Sequence, residues 1–331
     1  MLNTASAPTA GTSGRSSYPA LLSAAWADHL ALRAPDAPTV ISTFAGCGGS
    51  SLGYSMAGFR ELLAVEWDQN AVDTFRRNFP DVDVYHGDIA ALSVEEALRR
   101  TGLRPGALDV FDGSPPCQGF STAGKRMLDD PRNQLFREYV RLLRGLQPKV
   151  FVMENVSGMV KGKMKLVFAE ILRELKASGY RVSARLLNAM YFNVPQSRER
   201  MIFIGVRDDL PAAPSHPRAE SAPRCALCSI VGIEDTPNPY AIRKFNQARR
   251  FLTHHQPSPT LTKSDVPGSD LPFAGDSRIG DRRAAVIASF PLEFVFTGRW
   301  TDAVNRIGNS VPPLLMRAIA RHIRAEILGA C

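Results

Sequence analysis

Residues 38–206 alternate between short apolar runs and amphipathic stretches, and that alternation leaves few folds open. The runs TVISTFAG, ELLAVEW, VDVYHG, LDVFDG and KVFVMEN are apolar on successive positions, as strands buried on both faces are. Between them, DQNAVDTFRRNF (68–79) and VEEALRR (94–100) read as helices. Strand and helix in turn imply an α/β fold, a doubly wound and mostly parallel sheet covered on both faces. RVSARLLNA and RMIFIGV follow across a short connection and are expected to form a hairpin at one edge.

Sheets of this kind bind ligands beyond the carboxyl ends of their strands, so those ends are where chemistry is sought. The first strand runs into TFAGCGGSSLGY (43–54), whose glycines let backbone approach a ligand and leave a helix N-terminus free to face it. No Gly-Lys-Ser/Thr follows, which excludes a P-loop. The second strand ends VEWD, placing Glu66 about 20 residues after the glycines, where an acid can accept from a ribose. Trp67 offers a flat face for a purine, and Asp88, in HGDIA after the third strand, suits an exocyclic amine. Taken singly, Glu66 and Asp88 also read as ordinary strand-end acids or helix caps.

The fourth strand ends in GSPPCQGFS (113–121), where two prolines stiffen the chain just before Cys117. The fifth ends MENV, with Glu154, and PQSRERMIFIGV sets Gln196, Arg198 and Arg200 just ahead of a further strand. A thiolate, an acid and arginines on adjacent strand ends suit attack on an electron-poor ring. The thiolate adds, the acid donates a proton, and the arginines orient the groups and stabilise charge.

Those stretches, with the late RIGNSVPP (306–313), resemble the DNA (cytosine-5)-methyltransferases of prokaryotes, in the family's order and over about residues 39–325. The resemblance implies a Rossmann-like catalytic domain with a small target-recognition domain. It implies transfer of a methyl group from S-adenosyl-L-methionine to C5 of a flipped-out cytosine in double-stranded DNA, leaving S-adenosyl-L-homocysteine. Cys117, Glu154, Arg198 and Arg200 are then the catalytic set, through a covalent bond from Cys117 to C6. Phe44, Gly46, Gly48, Gly49, Leu52, Glu66, Trp67, Asp88, Ile89, Pro115, Asn309 and Ser310 are the expected cofactor contacts. Gln118, Ser121, Lys125 and Arg132, in and beside a loop resembling the one that closes over the flipped base, are expected to meet DNA. So are Arg243, Lys244, Arg249 and Arg250, from 241–263, which carries five cations and no acid.

Residues 1–37 are expected to form a flexible segment with a helix over 18–33, 38–206 and 278–331 the catalytic domain, and 207–277 the recognition domain. The odd number of cysteines, five, has no framework spacing and reads as reduced thiols in a cytosolic protein. The resemblance adds the expectation of a cytoplasmic, nucleoid-associated monomer. No metal is expected, because Cys225 and Cys228 lack a second pair nearby. No run of about 18 apolar residues and no secretory pattern appears. The net charge of +8 favours a polyanionic partner. A restriction endonuclease acting on the same site is a further expected partner. Two alternatives remain beside this reading: a transfer-RNA cytosine-5-methyltransferase, although that branch's Cys-Phe-Thr tripeptide is absent, and a non-catalytic DNA-binding homologue.

Overall fold

A computed structural model describes residues 17–116, 134–160, 164–224, 226, 229, 241–242, 250–251, 256–262 and 284–330 of the chain. The chain opens with helix α1 (Tyr18–Leu30) and then enters β1 (Thr39–Thr43), α2 (Gly49–Met56), β2 (Arg60–Glu66), α3 (Gln69–Asn78) and β3 (Asp83–His86). It continues through α4 (Val94–Thr101), β4 (Val110–Gly113), α5 (Gln134–Leu146), β5 (Val150–Val156) and α6 (Met164–Lys176). Strands β6 (Tyr180–Asn188) and β7 (Glu199–Arg207) follow. Strands β8 (Ala241–Ile242) and β9 (Arg250–Phe251) form a separate two-stranded pair. The chain ends with α7 (Trp300–Asn309) and α8 (Pro313–His322).

The main sheet has seven strands in the order β3-β2-β1-β4-β5-β7-β6, parallel except that β7 runs antiparallel to both its neighbours. The expected hairpin is present, but only β6 is at the edge, since β7 inserts against β5. Inward-facing side chains alternate strictly between the two faces. Val110, Val150 and Val152 join one core, while Phe111, Phe151 and Met153 join the other. Strand order reverses between β1 and β4, so the crevice of a doubly wound sheet opens there. Because β7 is antiparallel, its first residues reach the same rim as the ends of β1, β2, β4 and β5.

Both ends of the described chain pack against α2. Residues 18–30 form a packed helix: Tyr18, Leu22 and Ala25 are buried, and the Tyr18 hydroxyl donates to the Val286 carbonyl at 3.2 Å. At the far end of α1, the His29 ring nitrogens lie 2.8 Å from Ser55 Oγ and 3.2 Å from the Asn78 carbonyl. Helix α8 begins at Pro313 and lies against α2 so closely that glycines are required. A Cβ on Gly53 would lie 2.5 Å from Met316 Cβ, and one on Gly49 2.5 Å from the Val311 carbonyl. Among the described residues no helix is long and apolar enough to cross a membrane.

Candidate active site

The turn after β1 is set by one carboxylate. Phe44, Gly46 and Gly48 take φ of 55°, 56° and 96°, a left-handed region that strains Phe44. Glu66, at the end of the neighbouring β2, holds them in place. Its Oε2 accepts the Gly46 N–H at 2.8 Å, and its Oε1 accepts those of Trp67 and Asp68 at 3.0 Å each. Sequence reasoning expected Glu66 to face a ribose; the structure shows it first as the buttress of the glycine turn, 8% exposed. A Cβ at Gly46 would meet nothing within 4 Å, so the turn faces open space at that point. Beside it the Trp67 ring is 78% exposed. Asp88 caps the short turn Ile89–Ala91 by accepting the Ala90 N–H at 2.9 Å and stands exposed at the rim. Ile89 is buried in the core.

Leu52 is fully buried on α2, its side chain inside the hydrophobic core. Gly48 and Gly49 have packing reasons of their own, as a Cβ on Gly48 would strike the Phe79 ring at 2.5 Å.

The C-terminal motif returns to this turn. Ser310 Oγ lies 3.1 Å from Cys47 Sγ and donates to the Arg306 carbonyl at 2.7 Å. Burial pushes the Cys47 thiol up to about 11, so it stays protonated and unreactive. Asn309 points elsewhere: it is exposed and donates to Asn305 Oδ1 at 2.9 Å. The sequence reading passed over Arg306, whose Nη2 lies 2.5 Å from Asp68 Oδ1 and whose Nε donates to Asn70 at 3.2 Å. Against the opposing effect of desolvation, the Ala71 N–H and Arg306 hold the Asp68 carboxyl below its usual range. The residue after Trp67 is thereby tied to the helix that precedes Ser310.

The second half of the rim brings Glu154 and Arg200 together. In the β5–β7 register Glu154 faces Ile202 and Val156 faces Arg200, so Glu154 and Arg200 are diagonal neighbours on one face. Arg200 Nε lies 2.6 Å from Glu154 Oε1, with both side chains largely buried. Asn155, also missed from sequence, donates from Nδ2 to the Pro115 carbonyl at 3.1 Å and anchors the turn that leads out of β4. Gly113 lets that turn leave closely, since a Cβ there would meet Thr43 Oγ1 at 2.4 Å and the Tyr139 ring at 2.6 Å. Cys117, Gln118, Ser121, Lys125 and Arg132 lie outside the described residues, as do Cys225, Cys228, Arg243, Lys244 and Arg249. The backbone of Arg250 pairs with Ile242.

Arg198, expected in the catalytic set, is 2% exposed and spends its guanidinium on backbone, donating from Nη1 to the Leu261 carbonyl and from Nη2 to the Gly308 carbonyl, both at 2.8 Å. The alternation of a strand turns residues 198 and 200 the same way, but the chain from 195 to 198 lies before β7, under the 256–262 segment. Burial, with the like charge of Arg200, pushes the Arg198 guanidinium down to about 9, which leaves it charged at neutral pH.

Two carboxyls that no sequence pattern marked are bonded by side chains of α2. Burial pushes Glu61 up to about 7, although the Ser51 hydroxyl donates to it at 2.9 Å. Burial, and then the nearby Glu61, raise Asp112 well above the usual carboxyl range; the Tyr54 hydroxyl donates to it at 3.2 Å. No group of metal-ligating side chains occurs among the described residues.

The chain is similar to known proteins in sequence and in fold. A family model described as C-5 cytosine-specific DNA methylase matches residues 38–270 and 264–325. The type II methyltransferase M1.HphI of Haemophilus parahaemolyticus is 34% identical over 322 residues, covering 86% of each chain. The type II methyltransferase M.NgoPII of Neisseria gonorrhoeae is 32% identical over 335 residues, covering 87% of this chain and 96% of the other. Among solved structures, the methyltransferase EhMeth of Entamoeba histolytica superimposes with a TM-score of 0.65 at 18% identity, over 88% of this chain and 99% of that one. That last likeness is one of fold.

Proposed function

The chain belongs to the C-5 cytosine-specific DNA methylase family, and from that premise we propose how its strand-end residues divide the work of methylating C5 of cytosine in double-stranded DNA. It is a DNA cytosine-5-methyltransferase, and family and fold imply S-adenosylmethionine, which when bound supplies an electrophilic methyl group on a sulfonium. The rim fits that group. Gly46 faces open space, the exposed Trp67 ring offers a purine a stacking face, and Glu66 presents a carboxylate whose rotamer is already fixed by three N–H donors. Ser310 closes the opposite side of the same turn.

The observation that carries the mechanism is the Glu154–Arg200 pair at 2.6 Å, beside the Asn155-anchored turn that runs into Cys117. C5 of cytosine is a poor nucleophile. Addition of the Cys117 thiolate to C6 moves electron density to C5, while Glu154 donates a proton to N3 and so drains the charge that addition creates. Arg200 keeps Glu154 aimed and reaches toward the ring carbonyl. After the methyl group is taken up, loss of the C5 proton expels the thiolate and restores the aromatic ring. The base must leave the duplex to be reached, at a cost of a few kcal/mol. The relatives are type II methyltransferases, so a restriction endonuclease reading the same site is the partner to seek.

Labelled methyl transfer to duplex DNA and to transfer RNA under identical conditions tests the substrate. DNA should be strongly preferred, and preference for RNA would overturn the reading. Cys117→Ala should lose transfer yet still bind the cofactor. Duplex containing 5-fluorocytosine should trap the wild type covalently, because fluorine blocks the final elimination.

A further inference from the structure

Arg198 occupies a junction between the region expected to read DNA and the region expected to hold the cofactor. Residues 195–198 are stitched to the 256–262 segment. Ser258 N–H donates to the Pro195 carbonyl at 2.9 Å, Ser197 N–H to the Ser258 carbonyl at 2.7 Å, and Leu261 N–H to Gln196 Oε1 at 3.1 Å. The Thr260 hydroxyl donates to the Ser197 carbonyl at 2.7 Å. The same guanidinium that takes the Leu261 carbonyl takes that of Gly308, in the last turn of α7. The final carbonyls of a helix have no partner within it and carry the negative end of its dipole, so a cation there is held on both counts.

From α7 two links run on to the cofactor side. Arg306 binds Asp68, next to Trp67, and Ser310 meets Cys47 in the glycine turn. Among the described residues, a continuous set of polar contacts thus runs from the recognition-side segment through Arg198 to the cofactor turn. Resting on the DNA-methyltransferase reading, we propose that Arg198 is a positioning residue, not a catalytic one, that couples engagement of DNA by the recognition region to the shape of the cofactor turn. Its planar fork spans two carbonyls at once; a lysine ammonium, a point charge on a flexible stem, cannot hold both in the same geometry.

Coupling of two sites is reciprocal and measurable without catalysis. The affinity of the full-length protein for S-adenosylhomocysteine is measured with and without a short duplex carrying the site located by methylation mapping, and the ratio is the coupling factor. The wild type should show a factor of about 5 or more. Arg198→Met should bring it close to one, Arg198→Lys should restore it in part, and Arg200→Lys should leave it at the wild-type value while depressing turnover. A wild-type factor of one overturns the proposal, whether or not the variants fold. So does Arg198→Lys or a folded Arg198→Met with undiminished coupling and only a lowered kcat. If the wild type binds neither S-adenosylhomocysteine nor any duplex, the functional reading itself fails; binding of both without coupling sinks this inference alone.

Discussion

Replacing Glu66 by Gln tests whether one carboxylate shapes the cofactor turn. All three of its partners are N–H donors: Gly46 at 2.8 Å on one oxygen, Trp67 and Asp68 at 3.0 Å on the other. A glutamine brings one oxygen and one NH2. If the oxygen keeps Trp67 and Asp68, the NH2 meets the Gly46 N–H, donor against donor; the opposite rotamer loses two bonds. The smallest loss is one hydrogen bond to a charged acceptor, about 1.5–3 kcal/mol. At 8% exposure, water has little room to replace it. Phe44, held at φ 55° by the same turn, is then free to relax. The expected result is a thermal midpoint lower by roughly 2–4 °C, since a chain of this length unfolds with a large entropy change. Calorimetry should show S-adenosylhomocysteine binding weakened by about tenfold or more, the equivalent of the lower end of that loss. An unchanged midpoint and unchanged affinity would refute the reasoning. A lowered midpoint with full affinity would show a buttress that has no bearing on the ligand.

Glu154→Gln should instead depress kcat by about 100-fold or more with cofactor affinity intact, since the proton donated toward the base is lost; equal losses in both would contradict the division of the rim. Gly53→Ala sets a helix-propensity gain of about 1 kcal/mol against overpacking of about 1–3 kcal/mol. The new Cβ would lie 2.5 Å from Met316 Cβ and 2.7 Å from the Pro313 carbonyl, on a packed helix that cannot easily retreat, so overpacking should win and the midpoint should fall. Glu61 governs a pH effect. Its folded-state carboxyl is raised from 4.5 to about 7, so the native state holds the proton more tightly than the unfolded chain. The stability this confers is full below about pH 4.5 and is lost as pH rises through 7, by about 3 kcal/mol in total. Glu61→Gln should flatten that slope in denaturant titrations run across this range, and an unchanged slope would remove Glu61 as its source.

Much of this was legible in the chain itself. The mostly apolar runs at 39–43, 110–113 and 150–156 read as strands covered on both faces, and the helices between them imply a parallel sheet. Once the sheet is parallel, Glu66, Pro115 and Glu154 must share a rim, because each ends or follows a strand. Glycines at 46 and 48 likewise announce a turn of positive φ. The sequence could not tell what each side chain spends its hydrogen bonds on. Arg198 and Arg200, two residues apart in one motif, differ completely: the fold lays the 256–262 segment over the first and opens the second toward Glu154. Asp68 and Arg306 are 238 positions apart, and no local pattern relates them. Leu52 follows the glycine turn in sequence, yet its side chain is fully buried in the core. Strand and helix follow from periodicity because they are local; burial and pairing across the chain are decided only when the C-terminal helices close over the first turn.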